Sequence, residues 1–245
     1  HPDVQRMLAN MKSITQGSRA LTYAACAEVD SSLSNLPLEN LEMHERRLGF
    51  LTPIVKGWGT ETAQEVASVS LQCHGGMGYV EETGIAQILR DARILPIYEG
   101  TNGIQAMDLV GRKIITDSGL GANELISDMR EFAMNPMLAD MVSDSQLKRF
   151  TSAIEDFEKT VSIILNHADN KELIGKLAFD TLMMAGTIIA SWQMLLSLEK
   201  ASNAFNNKSL SSEFFNEKSA TVSHFMDFIL PRYFSNFATI TAITS

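Results

Sequence analysis

The sequence predicts an all-α protein, and three observations carry that reading. Apolar residues recur at threes and fours over long stretches, as one buried helix face requires. No stretch alternates apolar and polar residues in the manner of a half-buried strand. Glycine, proline and capping residues punctuate the chain at intervals that suit helix ends.

In the first segment Val4, Leu8, Met11, Ile14, Leu21 and Ala25 form an amphipathic face. Pro2 suits its first turn, and the polar stretch from Ser31 to Pro37 closes it. A second long helix is expected over 41–70, with Leu48, Leu51, Val55, Trp58, Thr62, Val66 and Val69 turned inward. Gly57 and Gly59 weaken its middle, where Thr60 is placed to cap a restart. The glycines from Gly75 to Gly78 break it. A shorter helix from Thr83 to Ile94 must stop ahead of Pro96, and Thr101 is a candidate N-cap for a helix over 102–115.

Residues 119–142, with Gly119, Gly121 and Asn135-Pro136, are expected as a junction between a first region, 1–118, and a second, 143–245. In the second, Ser143-x-x-Gln146 is a capping-box signature ahead of Leu147, Phe150, Ile154, Phe157, Val161 and Ile164. Asp169-x-x-Glu172 opens a long apolar helix. A third helix follows Ser211 or Ser212, and Pro231 should kink or interrupt it. The first two should meet with Leu147, Phe150, Phe157 and Val161 facing Phe179, Leu182, Met183 and Ile189.

Hydrophobic residues make up 45% of the chain, enough for a sizeable core. A net charge of −9 argues against nucleic-acid partners, which need a basic face, yet leaves room for an anionic ligand held by local cations. Cys26 and Cys73 are too few for a disulfide framework, so reduced thiols and a cytoplasmic location are expected. The apolar run from Leu177 to Leu198 contains Asp180, Thr181, Thr187, Ser191 and Gln193, which are costly in lipid. A buried bundle helix, without a membrane span, is therefore expected. The opening His1-Pro-Asp-Val reads as the start of a piece of a longer protein.

The run from Arg90 to Gln105 carries the sharpest chemical signal. Glu99 lies between Ile94, Leu95, Ile97 and Tyr98 and a Gly100-Thr101 step that opens a helix. Apolar surroundings disfavour an ionised carboxylate and would raise its pKa toward the range of a useful base. Glu99 is equally placed to be a carboxylate favoured by a helix start. Upstream, Gln72-Cys-His-Gly-Gly76 allows close approach of a ligand to the backbone, or forms a turn between helices. No strand precedes it, so it is not a dinucleotide-binding βα turn. Adjacent Cys73 and His74 lack a second ligand cluster, and no metal site is expected. A hydrolase is disfavoured: there is no Gly-x-Ser-x-Gly elbow, and the five histidines have no evident nucleophile partner.

Taken together, Gln72-Cys-His-Gly-Gly-Met-Gly-Tyr79, Leu89-Arg-Asp-Ala-Arg93 and Ile97-Tyr-Glu-Gly-Thr-Asn-Gly-Ile-Gln105 resemble the acyl-CoA dehydrogenase family. Residues 1 to about 115 resemble its C-terminal four-helix up-down bundle. Residues from about 125 resemble the extra helical domain of a longer bacterial subgroup that includes enzymes acting on 3-methylmercaptopropionyl-CoA, on texture and on Ile229-Leu-Pro-Arg232. The resemblance implies an FAD-dependent oxidoreductase of fatty acid metabolism that converts an acyl-CoA to a trans-2-enoyl-CoA. Glu99 matches its base, and Gly100 lies beside the thioester. Gln72, Cys73, His74, Gly75 and Gly76 match a segment that meets FAD from a neighbouring subunit; Thr101 and Gly103 match a second flavin-contacting stretch. It further implies a homo-oligomer (dimer or tetramer) and an electron-transfer flavoprotein as acceptor. The family's N-terminal helical and middle β domains are absent from this sequence, so the stretch alone is expected to be inactive. A helical assembly module, a dehydrogenase-like DNA-associated protein and an acyl-CoA oxidase are the competing readings.

Overall fold

The computed structural model describes residues 1–244, and no strand occurs among them. Helix α1 (Pro2–Ser32) starts on Pro2, with His1 capping the amide of Asp3. Helix α2 (Leu38–Cys73) packs against α1 and is continuous. The expected restart at Thr60 does not occur. Its hydroxyl donates to the Lys56 carbonyl at 2.8 Å, one turn back, leaving the backbone helical.

The two glycines of α2 have a different purpose from breaking it. A Cβ on Gly57 would stand 2.7 Å from Leu182 Cδ1, so that site must stay bare for the neighbouring helix to approach. The contact is reciprocal. A Cβ on Gly186 would meet Trp58 Cγ at 2.3 Å, and the Trp58 indole donates to Thr187 Oγ1 at 3.1 Å. Glycine is thus selected here by the crossing of two helices.

After a short turn, α3 (Gly76–Tyr79), and a 3-10 turn, α4 (Ile85–Ile94) stops before the buried Pro96. Helix α5 (Asn102–Asp108) starts on its Thr101 cap and widens into a π-helical stretch, Leu109–Ile115. The stretch expected as a junction instead contains α6 (Leu120–Ala133) and α7 (Pro136–Met141). Its glycine and Asn-Pro signals mark helix starts: Gly119 takes φ 76° ahead of α6, and Asn135 caps α7. Leu125, Ile126, Met129 and Leu138 from these helices are buried in the main core.

Helix α8 (Asp144–Asn166) carries the expected capping box. Helix α9 (Lys171–Asn206) is capped by Asn170, whose side chain accepts from Leu173, rather than by Asp169. It is the one helix among the described residues long and apolar enough to cross a membrane, and 67% of its most apolar window is buried inside the protein. The hydroxyls of Thr181, Thr187 and Ser191 donate to carbonyls one turn back, which satisfies them in apolar surroundings. Helix α10 (Ser212–His224) passes through a π-helical stretch and a 3-10 turn holding Pro231 before α11 (Tyr233–Thr244). Phe150, Phe157, Val161, Leu182 and Ile189 are buried as expected, but Phe179 is 41% exposed. One apolar cluster runs from Ile14 and Trp58 through Phe157 to Ile240, so both halves share a core.

Candidate functional site

Pro96 ends α4, and its carbonyl accepts the Asn102 amide at 3.1 Å, which closes a tight loop between two helices. Two consecutive residues of that loop are left-handed: Glu99 at φ 54° and Gly100 at φ 82°. Glycine adopts this freely, whereas a non-glycine residue pays about 1–3 kcal/mol and needs surroundings that enforce it.

Those surroundings come mostly from α2. Lys56 Nζ donates to the Gly100 carbonyl at 2.7 Å and to Asn102 Oδ1 at 2.8 Å. Asn102 is only 4% exposed. Its amide nitrogen donates to Glu61 Oε1 at 2.8 Å and Thr60 Oγ1 at 2.9 Å, and lies 3.3 Å from the Gly57 carbonyl. Gln105 Nε2 donates to the Glu99 carbonyl at 3.3 Å. Thr101 Oγ1 accepts the Ile104 amide at 3.3 Å, as an N-cap should. Partial burial holds the Lys56 ammonium below the usual lysine range, and Glu99 and Glu61 oppose that shift.

The backbone of Glu99 is therefore tied down while its side chain stands exposed. This corrects the expected apolar surroundings. Ile97, Tyr98 and Ile104 are themselves exposed. The local sequence is apolar, but Ile97 and Tyr98, which make it so, are exposed and do not enclose the carboxylate.

The second group of candidates lies where α2 ends. Gln72 and His74 are exposed; His74 Nδ1 lies 2.8 Å from the Ser70 carbonyl, and Cys73 Sγ is 3.9 Å from Met7 Sδ. Gly75 has φ 60° and ψ −145°, a conformation reserved for glycine. Nothing lies within 4 Å of a Cβ built on Gly75 or Gly76, so a bare backbone edge faces open space. Such an edge fits a flat ligand approaching closely, as the flavin would. Gly78 is different: a Cβ there would lie 2.3 Å from the Leu71 carbonyl, so its role is packing. Gly103 is exposed and its Cβ site is roomy, so packing in this chain does not demand glycine there.

The fold gathers Glu99, Gly100, Thr101 and Gly103 on one loop and helix start. It does not bring them to Gln72–Gly76. Asn102 anchors to α2 at Thr60, and Gln72 lies twelve residues further along that continuous helix, roughly 18 Å at 1.5 Å per residue. No group of three or more metal-ligating side chains exists among the described residues, and both cysteines are unpaired. A cavity of about 590 Å³ between α1, α9 and α10 includes none of the candidates in its wall.

Sequence reasoning missed Lys56, Thr60, Glu61 and Asn102. Lys56, Thr60 and Glu61 share one side of α2 at helical spacing, a signal in principle, but nothing local reveals that Asn102 is buried against them.

Comparison with known proteins places these features in context. Residues 1–114 match the family described as acyl-CoA dehydrogenase, C-terminal domain. Residues 125–245 match that described as acetyl-CoA dehydrogenase C-terminal like. The chain is 39% identical over 233 residues to 3-methylmercaptopropionyl-CoA dehydrogenase of Ruegeria pomeroyi, which covers 94% of this chain and 39% of that protein. It is 26% identical to a butyryl-CoA dehydrogenase of Syntrophomonas wolfei over 78% of this chain and 34% of that one. The crystal structure of an acyl-CoA dehydrogenase complexed with FAD from Bacillus anthracis shares the fold, with a TM-score of 0.74 at 20% identity, over 99% of this chain and 42% of that one. The chain thus spans about two-fifths or less of the length of the curated relatives it matches.

Proposed function

This chain belongs to the acyl-CoA dehydrogenase family, as its C-terminal portion, and from that premise we propose that it supplies the base of an FAD-dependent α,β-dehydrogenation of an acyl-CoA thioester. The observation that carries the reading is Glu99: a carboxylate on a left-handed residue, its carbonyl held by Gln105, the next carbonyl held from α2 by Lys56, and its side chain exposed. Strain of this kind persists where the position of a side chain matters.

In this reading the Glu99 carboxylate takes the α-hydrogen of the substrate as a proton, and the electron pair it leaves forms the new Cα–Cβ double bond. FAD, when bound, supplies the acceptor for the β-hydrogen as hydride. Gly100 lets the thioester lie against the backbone, because no side chain projects there. Thr101 and Gly103 would help hold the same flavin, and the segment Gln72, Cys73, His74, Gly75 and Gly76 would meet another, with the bare backbone of Gly75 and Gly76 facing it. A separation of roughly 18 Å along α2 suits two flavins shared across a homo-oligomer, a dimer or tetramer. The product is a trans-2-enoyl-CoA, and an electron-transfer flavoprotein in the cytoplasm takes the electrons onward. The names of the relatives support an acyl-CoA as the substrate class.

Glu99→Gln tests this directly. The amide keeps the shape but cannot accept the proton, so flavin reduction by acyl-CoA should slow by about 10²–10⁴-fold, with FAD still bound. Bleaching of the flavin at the wild-type rate would assign the base elsewhere.

A further inference from the structure

Resting on the reading of Glu99 as base, we infer that Lys56 and Asn102 are positioning residues that clamp the Glu99–Gly100 backbone in its left-handed form and so aim the carboxylate. Neither residue is a catalytic group, since neither is directed at the reacting atoms.

The geometry separates this role from ordinary core packing. Asn102 is almost fully buried, yet every polar atom of its side chain is engaged, and its partners all lie on one stretch of α2, from Lys56 to Glu61. That fixes where α5 begins. Lys56 also reaches the Gly100 carbonyl, in the peptide that joins Gly100 to Thr101, while Gln105 holds the Glu99 carbonyl one peptide earlier. The Asn102 amide returns to Pro96, so the loop is held at both ends and at its middle. Loop residues 97–101 are all exposed, so burial contributes little to holding them. Without the clamp, Glu99 can relax to negative φ, the region that L-residues prefer. Such a change swings the side chain through a large angle, and a misplacement of about 1 Å already costs on the order of 10²-fold in rate.

The test uses the FAD-loaded enzyme carrying Lys56→Met or Asn102→Ala, with Glu99→Gln as reference. The probe is the acyl-CoA that bleaches the wild-type flavin fastest in a panel that includes butyryl-CoA and 3-methylmercaptopropionyl-CoA. Single-turnover flavin reduction should slow about 10²-fold in each clamp variant, while acyl-CoA affinity stays within about threefold. Independently of turnover, hydrogen exchange at the amides of Asn102 and Ile104 should speed about tenfold or more. Exchange in α8 and α9 should not change. Should Asn102→Ala not fold, Lys56→Met decides, because Lys56 is only partly buried.

Wild-type reduction rates in Lys56→Met would overturn the inference. So would a slowed rate with unchanged loop exchange, which would make the effect electrostatic, or weakened acyl-CoA binding with an unchanged rate. If Glu99→Gln keeps the wild-type rate, the base assignment is what fails, and the exchange measurement still decides whether the clamp holds the loop.

Discussion

The stretch from Met77 to Met107 and helix α9 are both rich in large apolar residues, and the fold treats them in opposite ways. In α9, Leu177, Leu182, Ile188, Ile189 and Met194 are fully buried, and their helix is enclosed by neighbours on most sides. In the first stretch, Met77, Tyr79, Ile88, Ile97, Tyr98 and Ile104 remain exposed, Tyr79 to 82%. Rigidity therefore has different sources in the two places. Around α9 it comes from filled volume, and a change of a methyl group is felt. Around Glu99 it comes from a few hydrogen bonds of Lys56, Asn102 and Gln105, so single polar groups matter most.

Volume changes near α9 should give the largest effects on stability. Phe157 is fully buried between α8 and its neighbours. Phe157→Ala should cost about 3–5 kcal/mol, read as a fall in the denaturation midpoint; an unchanged midpoint would break the contrast at its firmer end. Gly186→Ala tests the same region by overpacking. The new methyl would overlap Trp58, and about 1–3 kcal/mol should be lost. A neutral outcome would show that Trp58 can move aside and that the α2–α9 crossing is soft.

At the loop, Thr101→Ala removes the N-cap of α5 and should cost about 1 kcal/mol. Glu99→Gln should leave stability nearly untouched while abolishing fast flavin reduction. If Thr101→Ala costs as much as Phe157→Ala, the loop is part of the core after all and the comparison collapses.

The smallest effect concerns the ion pair linking α6 to α8. Arg130 donates to Glu158 at 2.8 Å, and this hydrogen bond holds the Glu158 carboxyl below its ordinary value of 4.5. A depressed carboxyl contributes stability above its unfolded value and loses it as pH falls through the folded one. Both side chains are about 40% exposed, so no more than about 1 kcal/mol is expected. The stability difference between wild type and Glu158→Gln should shrink as the pH is lowered through the carboxylate range. A difference that stays constant there would remove the pair from the account.

Helix ends were legible because their signals are local. Thr101, Ser143 with Gln146, Ser211 and Pro231 each mark a boundary that the structure keeps, since a cap or a missing N–H acts within one turn. The same locality explains the misreadings. Gly119, Gly121 and Asn135-Pro136 do punctuate the chain, but punctuation alone does not distinguish a linker from short helices whose apolar sides reach a core.

The sequence by itself determined the helical class, the position of Glu99 at a helix start and the apolar character of α9. All three follow from spacing and chain chemistry over a few residues. Only the tertiary structure decided that Gly57 meets Leu182 and Gly186 meets Trp58 at a helix crossing, that Phe179 is left exposed, and that Glu99 stands exposed near a buried Asn102. Each of these depends on which distant helix comes to lie alongside. A glycine that weakens a helix and a glycine that admits a tryptophan look alike until the partner at residue 58 or 186 is in place.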